Sequence, residues 1–221
     1  MNTIRHYFEK HKGNLIFKWD HYFDIYERHL GKFKGENIVL LEIGVYHGGS
    51  LQMWQNYFGK KSKVYGIDID KRCKQFEKDN IQIFIGDQED KKFLSDLKLK
   101  LPKIDILIDD GGHTMKQQIN TFEVMFDHVK DNGIYLVEDL HTSYWEKFGG
   151  GYHRPVSFVE YSKNFIDKLN AWHSESGDLV PDSFTKSASS LHFYDSVLVI
   201  EKKKREKPFT LKTGKPALRN R

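Results

Sequence analysis

Four side chains that could bind a cation or move a proton lie in two short segments of the chain. Asp110 and His113 follow one apolar run, with two glycines between them, and Glu138 and Asp139 follow another. Runs of this length and composition predict buried strands, and neighbouring parallel strands are about 4.8 Å apart. If the two strands are neighbours, the three carboxylates therefore converge on one point.

Three carboxylates at one point repel each other unless protons or a cation neutralise them. Because the donors of Asp110, Glu138 and Asp139 are all oxygen, the set favours a hard divalent cation, magnesium before manganese or calcium. The alternative is that one or two of these acids cap helices or form salt bridges. An imidazole has an unperturbed pKa of about 6.5, so His113 suits a general base, with a purely structural histidine as the alternative.

A glycine turn follows the first predicted strand. Gly44 allows a sharp turn, and Ser50 is suited to cap the next helix. Tyr46 stands where a Gly-x-Gly-x-x-Gly dinucleotide motif needs its second glycine, so that motif is absent. An acid before the turn, Glu42, disfavours a pyrophosphate and favours a cationic cofactor with amino and sulfonium groups. These four residues predict a site for S-adenosylmethionine.

Further polar residues follow the next strands of the chain. Asp68 ends the second strand, where a carboxylate can bridge two ribose hydroxyls. Asp87 and Gln88 end the third, where either could bind the adenine amine, and Asp109 at the end of the fourth joins the predicted cofactor contacts. Acids at strand ends are often only solvated, but their succession around one glycine turn favours a cofactor site.

Alternating apolar runs and amphipathic stretches must position these residues. They predict a Rossmann-like, doubly wound α/β sheet of about seven strands, with helices on both faces and the last strand antiparallel. The strands are predicted at 38–43, 63–67, 81–85, 104–108 and 133–137, with two more pieces in 191–200 that turn at Asp195–Ser196. The helices are predicted at 15–30, 50–58, 71–79, 89–99, 115–130 and 156–172.

The chain length fits one domain. We predict a methyltransferase domain over 1–201 that includes an N-terminal helical segment (1–36) and a lid or substrate insertion (141–190), followed by a basic, flexible tail (202–221). A surface excursion is the alternative for 141–190. Its aromatic residues Tyr144, Trp145 and Tyr152 could stack on a sugar or an aromatic acceptor.

Charge and cysteine content limit the partners and the compartment. The tail carries nine Lys or Arg against one acid, a net charge of +8, which leaves −4 on the rest of the chain. The single cysteine allows no internal disulfide, and the N-terminus has no signal-peptide core, so we expect a cytoplasmic protein with no membrane partner. The sequence leaves homo-oligomerisation open.

These motifs together resemble the class I methyltransferases that use S-adenosylmethionine, and in particular the metal-dependent sugar O-methyltransferases of macrolide antibiotic pathways. A similar Asp-Gly-Gly-His turn occurs in cephalosporin-hydroxylase-like proteins, but the two-histidine iron triad of an oxygenase is not evident. The resemblance runs from about 36 to 150 and through the final strands. The segments that carry it are Leu41–Gly44, Ser50–Trp54, Tyr65–Asp68, Gly86–Gln88, Ile108–His113 and Glu138–Asp139.

The resemblance implies an O-methyltransferase with a small-molecule or sugar hydroxyl acceptor. It implies that Asp110, Glu138 and Asp139 hold magnesium and that His113 is the catalytic base. It also implies cofactor contacts at residues already singled out, which are Glu42, Gly44, Asp68 and Asp87. The macrolide enzymes carry a large extra N-terminal domain, whereas about 36 residues precede the first strand here, so tetramer formation and macrolide recognition do not follow.

Two other functions stay open at this point. A non-catalytic cofactor-binding module would keep the glycine turn, but the joint presence of Asp110, His113, Glu138 and Asp139 argues against it. A nucleic-acid methyltransferase could use the basic tail as an arm. The acidic body and the lack of an Asn-Pro-Pro-Tyr-type motif argue against this second alternative, so we expect no nucleic-acid partner.

Overall fold

A central sheet of seven strands organises the part of the chain that this computed structural model describes, residues 3–217. The first five strands are parallel, and the final hairpin adds two strands of which β7 runs antiparallel to β5. Their order is β3-β2-β1-β4-β5-β7-β6. The bounds are β1 Val39–Ile43, β2 Lys63–Asp68, β3 Ile81–Ile85, β4 Ile104–Asp109, β5 Val129–Val137, β6 Ala188–Tyr194 and β7 Val197–Lys202.

Helices cover both faces of this sheet, and each face buries its own apolar core. The helix bounds are α1 Ile4–Lys10, α2 Tyr22–Leu30, α3 Gly49–Phe58, α4 Lys91–Lys100, α5 Met115–Met125, α6 Phe158–Asn170 and α7 Ser183–Ser187. The predicted fold class is confirmed, including the final turn at Asp195–Ser196, where Ser196 has a φ of 64°. None of the helices in the described residues is both long and apolar enough to cross a membrane.

The N-terminal segment differs from its prediction. A helix is expected over 15–30, but it begins only at Tyr22, and residues 15–19 form no helix or strand. Their side chains alternate: Leu15, Phe17 and Trp19 are exposed, whereas the intervening Ile16 and Lys18 point inward. We call residues 15–20 the strap. Contacts of Lys18, described below, hold the strap out of a helix. The helical spacing of apolar residues in the sequence does not reveal these contacts.

Several other elements have different bounds from those predicted. The helix expected at 71–79 is a short 3₁₀ helix over Lys71–Phe76, because Glu77 instead accepts the backbone N–H of Ile83. The helix expected at 115–130 ends at Met125, and β5 begins earlier than predicted. The end of the predicted insertion 141–190 contains α7 and the start of β6.

The predicted tail begins inside the sheet rather than beyond it. Lys202 is the last residue of β7 and is buried, and 203–217 form no helix or strand. Residues 218–221 of the predicted tail, and residues 1–2 of the N-terminal segment, lie outside the described residues.

Candidate active site

A cavity of about 860 Å³ opens at the carboxyl ends of the parallel strands, where β1 and β4 are adjacent and the strand order reverses. The strap forms one wall, and the loops after β1, β2, β3, β4 and β5 form the rest. Most of the predicted site residues line this cavity, namely Gly44, Tyr46, Ser50, Asp68, Asp87, Gln88, Asp110, His113, Glu138 and Asp139.

The glycine turn after β1 is fixed by its neighbours. Gly44 has a φ of 92°, and a Cβ there would lie 2.0 Å from the carbonyl oxygen of Asp110, so only glycine allows this approach. Asp68 holds the turn from the other side, since its Oδ2 accepts the N–H groups of Val45 and Tyr46 at 2.9 and 3.0 Å. The ring of Tyr46 is 64% exposed at the cavity mouth.

Glu42 lies beneath the cavity rather than on its surface. It is fully buried, and its carboxylate accepts hydrogen bonds from the Ser50 hydroxyl at 2.6 Å and the Trp54 indole at 3.0 Å. Burial raises the pKa of Glu42, and Lys18 and these donors oppose that rise. Glu42 therefore joins the base of α3 to the site from below.

The residues predicted to bind adenine divide into two groups. Asp87 is exposed and faces the cavity. Gln88 is buried and uses its amide inside the protein: it donates to Asp109 at 2.5 Å and to Thr121 at 3.0 Å, and accepts from the N–H of Gly112. Asp109 lies behind the cavity at 1% exposure, and burial raises its pKa to about 7. The structure thus brings Asp87, but not Asp109, to the cavity.

The three predicted metal ligands do meet, because β4 and β5 are neighbours. Both oxygens of Glu138 already have partners: the Tyr26 hydroxyl donates to Oε1 at 2.6 Å and the Lys18 ammonium to Oε2 at 2.9 Å. Burial raises the pKa of Asp110 to about 7 and that of Glu138 to about 8, against the opposing charge of Lys18. Of the three, Asp110 and Asp139 keep a free side toward the cavity.

His113 stands beside those two carboxylates. Its Nε2 lies 3.3 Å from Asp139 Oδ2 and 3.9 Å from Asp110 Oδ1. Its backbone is in the left-handed region (φ 58°), as is that of Asp139 (φ 56°), a conformation that costs energy for non-glycine residues. The Thr142 hydroxyl holds the His113 carbonyl at 3.0 Å, and the capping box of α5 starts at the next residue, Thr114.

Lys18 is a site residue that sequence reasoning missed. Its side chain is 2% exposed, and its Nζ lies 2.5 Å from Asp110 Oδ2, 2.9 Å from Glu138 Oε2 and 3.7 Å from Glu42 Oε1. Burial alone would lower the pKa of this ammonium, but attraction to Asp110 and Glu138 outweighs it and raises that pKa well above its usual value. The available signal was one lysine within an otherwise apolar run, Leu15–Trp19.

Two tyrosines of α2 were also missed. The Tyr22 hydroxyl donates to Asp139 Oδ1 at 2.7 Å, and the Tyr26 hydroxyl, one helical turn later, donates to Glu138. Both rings are buried. Their four-residue spacing on an amphipathic helix was the signal that they share a face.

The predicted acceptor-stacking rings lie outside the main cavity. Of the described residues that line it, none belongs to 141–190. Trp145 packs against His141 with ring centroids 4.6 Å apart, and His141 packs against Trp19 of the strap at 5.7 Å. An aromatic rim made of Trp19, His141 and Trp145 therefore borders the cavity beside Asp139.

The donor set suits a divalent cation. The ligand atoms of Asp110, His113 and Asp139 all lie within 4.8 Å of one another. Asp110 Oδ1 and Asp139 Oδ2 are the carboxylate oxygens that face His113, on the opposite side from the hydrogen bonds made by Lys18 and Tyr22. Carboxylate oxygens in this number, with space for water, are the ligands that magnesium prefers.

Residues 41–140 match the family described as "Methyltransferase domain". This chain contains a methyltransferase domain. The match runs from the end of β1 to the turn after β5 and so includes the glycine turn and the carboxylate cluster.

Named relatives of this methyltransferase domain are O-methyltransferases. The chain is 34% identical to 8-demethyl-8-alpha-L-rhamnosyl tetracenomycin-C 2'-O-methyltransferase of Streptomyces olivaceus, over 80% of this chain and 49% of that protein. It is 32% identical to demethylmacrocin O-methyltransferase of Streptomyces fradiae, over 80% and 47%. The chain thus spans about half the length of the curated relatives it matches.

A solved structure supports the same assignment of the fold. The MycE methyltransferase from the mycinamycin biosynthetic pathway, in complex with Mg and SAH, superposes with a TM-score of 0.78 at 31% identity. The alignment covers 85% of this chain and 51% of that one. The methyltransferase domain described here therefore has the fold of that enzyme's corresponding half.

Proposed function

We propose that this chain transfers the methyl group of S-adenosylmethionine to a hydroxyl of a sugar or glycosylated small molecule, with the assistance of magnesium. The observation that carries the proposal is the meeting of Asp110, His113 and Asp139 in one cavity with the glycine turn after β1. The related O-methyltransferases, and the complex of MycE with Mg and SAH, support it.

The cofactor would lie along the loops after β1, β2 and β3. Gly44 would let it approach the backbone, Asp68 would bind the ribose at the end of β2, and Asp87 would bind the adenine; all three residues line the cavity. Glu42 acts from beneath, because its buried negative charge favours a sulfonium over a neutral or anionic group. When bound, S-adenosylmethionine supplies an electrophilic methyl group.

Asp110, Glu138 and Asp139 would hold magnesium; Asp110 and Asp139 each keep a free oxygen toward the cavity, whereas both oxygens of Glu138 already accept hydrogen bonds. When bound, magnesium supplies positive charge that lowers the pKa of an acceptor hydroxyl. Tyr22 and Lys18 keep the two aspartates oriented, since each donates to the oxygen that does not face His113. Tyr22 donates to Asp139 Oδ1 and Lys18 to Asp110 Oδ2. The chain therefore presents a prearranged pair of oxygens.

His113 would accept the proton of the acceptor hydroxyl at Nε2, the nitrogen that points between Asp110 and Asp139. Burial lowers the pKa of His113, although the charge of Asp139 opposes this, so the neutral imidazole that a base requires is favoured at neutral pH. The capping box of α5 and the Thr142 hydroxyl fix the backbone of His113, which keeps its imidazole in place.

The first test removes the base. We expect His113→Ala to lose 10²- to 10⁴-fold in kcat, the usual contribution of a general base, when labelled S-adenosylmethionine is offered with a panel of rhamnosides and other glycosides. The Kd for S-adenosylhomocysteine, measured by calorimetry, should stay within about twofold of wild type, because His113 would act on the acceptor rather than on the cofactor. His6→Ala, on the exposed face of α1, is the matched control. Wild-type turnover by His113→Ala would contradict the assigned role.

The second test removes the metal. Treatment with EDTA should stop methyl transfer and added magnesium should restore it, because in this proposal the bound magnesium polarises the acceptor hydroxyl. Binding of S-adenosylhomocysteine, measured in the same samples, controls for loss of structure. An EDTA-treated protein with full activity would show that the metal has no part in the reaction.

A further inference from the structure

The carboxylate cluster has an inner and an outer side. On the inner side, the Lys18 ammonium binds Asp110 Oδ2 and Glu138 Oε2, beneath the strap. On the outer side, Asp110 Oδ1 and Asp139 Oδ2 face His113 and the cavity. The two sides use different oxygen atoms, and Asp110 contributes one oxygen to each, so an ammonium and a divalent cation can be bound together.

Charge balance favours such joint occupancy. Glu42, Asp110, Glu138 and Asp139 can carry four negative charges in a region that is mostly buried. Buried charges must be compensated to avoid a large desolvation penalty. The ammonium of Lys18, a magnesium ion and the sulfonium of the proposed cofactor together supply four positive charges. Lys18 is the only one of these that belongs to the chain and is always present.

We propose that Lys18 is a positioning residue of the proposed metal centre, a fixed ammonium that holds Asp110 Oδ2 and Glu138 Oε2 from the inner side while a divalent cation binds the cluster from the outer side. This inference rests on the proposed function. Lys18 keeps the carboxylates ordered when no metal is bound and weakens metal binding by its own charge. It also ties the strap, with Trp19 of the aromatic rim, to the metal ligands.

The strap's contacts agree with a permanent attachment. Ile16 is buried in the same core as α3, and the backbone carbonyls of Asn14 and Leu15 lie 2.4 and 2.3 Å from where a Cβ on Gly49 would stand. Those carbonyls therefore pack directly on the first turn of α3. Lys18 enters the cluster from a segment that is anchored on both sides, by Ile16 and by α2.

Metal binding by Lys18→Met tests this directly. Met has a similar length and no charge, and removing a unit charge this close to a dication should tighten binding at least tenfold. We expect the Kd for Mn²⁺, measured by electron paramagnetic resonance without cofactor, to fall by that factor. Damage to the site would weaken binding, so the direction separates a charge effect from misfolding. Lys18→Arg keeps the charge and should bind Mn²⁺ within about threefold of wild type.

The matched control is Lys202→Met. Lys202 is also buried at an end of the sheet, but its Nζ donates to the Phe126 carbonyl rather than to the carboxylate cluster. Its substitution should leave the Kd for Mn²⁺ unchanged. If Lys18→Met unfolds without metal, Mn²⁺ should raise its Tm by more than it raises that of wild type. Failure of Mn²⁺ to rescue the variant would contradict the proposal.

Hydrogen exchange of the strap distinguishes a fixed ammonium from one that metal displaces. We expect exchange of the 15–20 amides in wild type to be unchanged by saturating Mg²⁺ and to be faster in Lys18→Met. Faster exchange in wild type on Mg²⁺ addition, or unchanged Mn²⁺ affinity in a folded Lys18→Met, would overturn the role of Lys18 alone. A wild-type protein that binds no Mn²⁺ would instead contradict the proposed metal-assisted function.

Discussion

At the residue scale, the site is defined by which oxygen of each carboxylate is already bound. Each oxygen of Glu138 already accepts a hydrogen bond, from Tyr26 or Lys18, whereas Asp110 and Asp139 each keep one oxygen without such a bond toward His113. This distinction between a supporting and a presenting carboxylate requires coordinates, because all three acids end strands in the same way in the sequence.

The hydrogen bond from Tyr26 to Glu138 should be costly to remove. Tyr26→Phe leaves Oε1 of a fully buried carboxylate without its donor, and we expect the free energy of unfolding to fall by about 1–3 kcal/mol in urea denaturation. Tyr57→Phe is the matched control: its hydroxyl donates to Glu27, which is partly exposed, so water can replace it and the loss should be about 1 kcal/mol or less. An equal loss in both variants would contradict this account of Glu138.

Sequence reasoning found the residues that follow a simple rule and missed those that depend on long-range contact. Asp110, His113 and Asp139 were predicted because the carboxyl ends of parallel strands meet at one edge. Lys18 contacts residues 92 and 120 positions away, and a single apolar run around it suggests only a helix. Asp109 and Asp110 are adjacent, and adjacent strand residues point to opposite sides of the sheet. The sequence does not tell which of the two faces the cavity, and Asp109 does not.

At the element scale, α2 connects the site to the final hairpin. Tyr22 and Tyr26 bind the carboxylate cluster, and His29, two turns after Tyr22, binds Glu201 of β7 at 2.8 Å and the Tyr194 hydroxyl of β6 at 2.8 Å. The helix is therefore held at one end by the site and at the other by the sheet edge. Loss of the His29 contacts with Glu201 and Tyr194 should therefore destabilise the β6–β7 hairpin.

We expect His29→Ala to lower the free energy of unfolding by about 1–3 kcal/mol, because it removes a buried ring and two hydrogen bonds. Hydrogen exchange should increase in β6 and β7 more than in β1–β3. The control is His153→Ala, which breaks an exposed pair with Glu160 and should change stability by about 0.5 kcal/mol or less. Uniform exchange across the sheet in His29→Ala would show that α2 does not hold the hairpin.

The strands were predicted more accurately than the helices. Buried parallel strands are short apolar runs with polar residues on either side, and tertiary contacts do not change where such a run begins and ends. The start of α2 was wrong because Lys18 is drawn inward by three carboxylates, which favours the non-helical strap over another helical turn. The helix at 71–79 was wrong because Glu77 pairs with β3 instead.

At the scale of the whole molecule, the sheet order explains why one cavity receives so many polar side chains. β1 lies between β2 and β4, and the connections leave to opposite faces on either side of it, which opens a crevice at the strand ends. This much follows from alternating strands and helices in the sequence. The wall that the strap adds to the crevice does not, because it depends on Lys18 reaching charges that the fold assembles from three strands.

The same sheet buries a second lysine without a carboxylate partner, and this gives a pH-dependent stability. Lys202, at 4% exposure, donates to the Phe126 carbonyl and lies over the Phe126 ring, and burial lowers its pKa to about 8. The unfolded chain keeps the ordinary value of 10.5. Between these two values the unfolded state binds more protons, so this group makes stability rise with pH.

We therefore expect the free-energy difference between wild type and Lys202→Met to shift toward wild type from pH 8 to pH 10.5, by up to about 3 kcal/mol. Below pH 8 the penalty for burying the ammonium is fully present in wild type and absent from the variant. Urea denaturation of both proteins in the same buffers measures the difference, in which the titration of other groups cancels. A difference that stays constant over this range would mean that the Lys202 ammonium is as well accommodated in the sheet as in water.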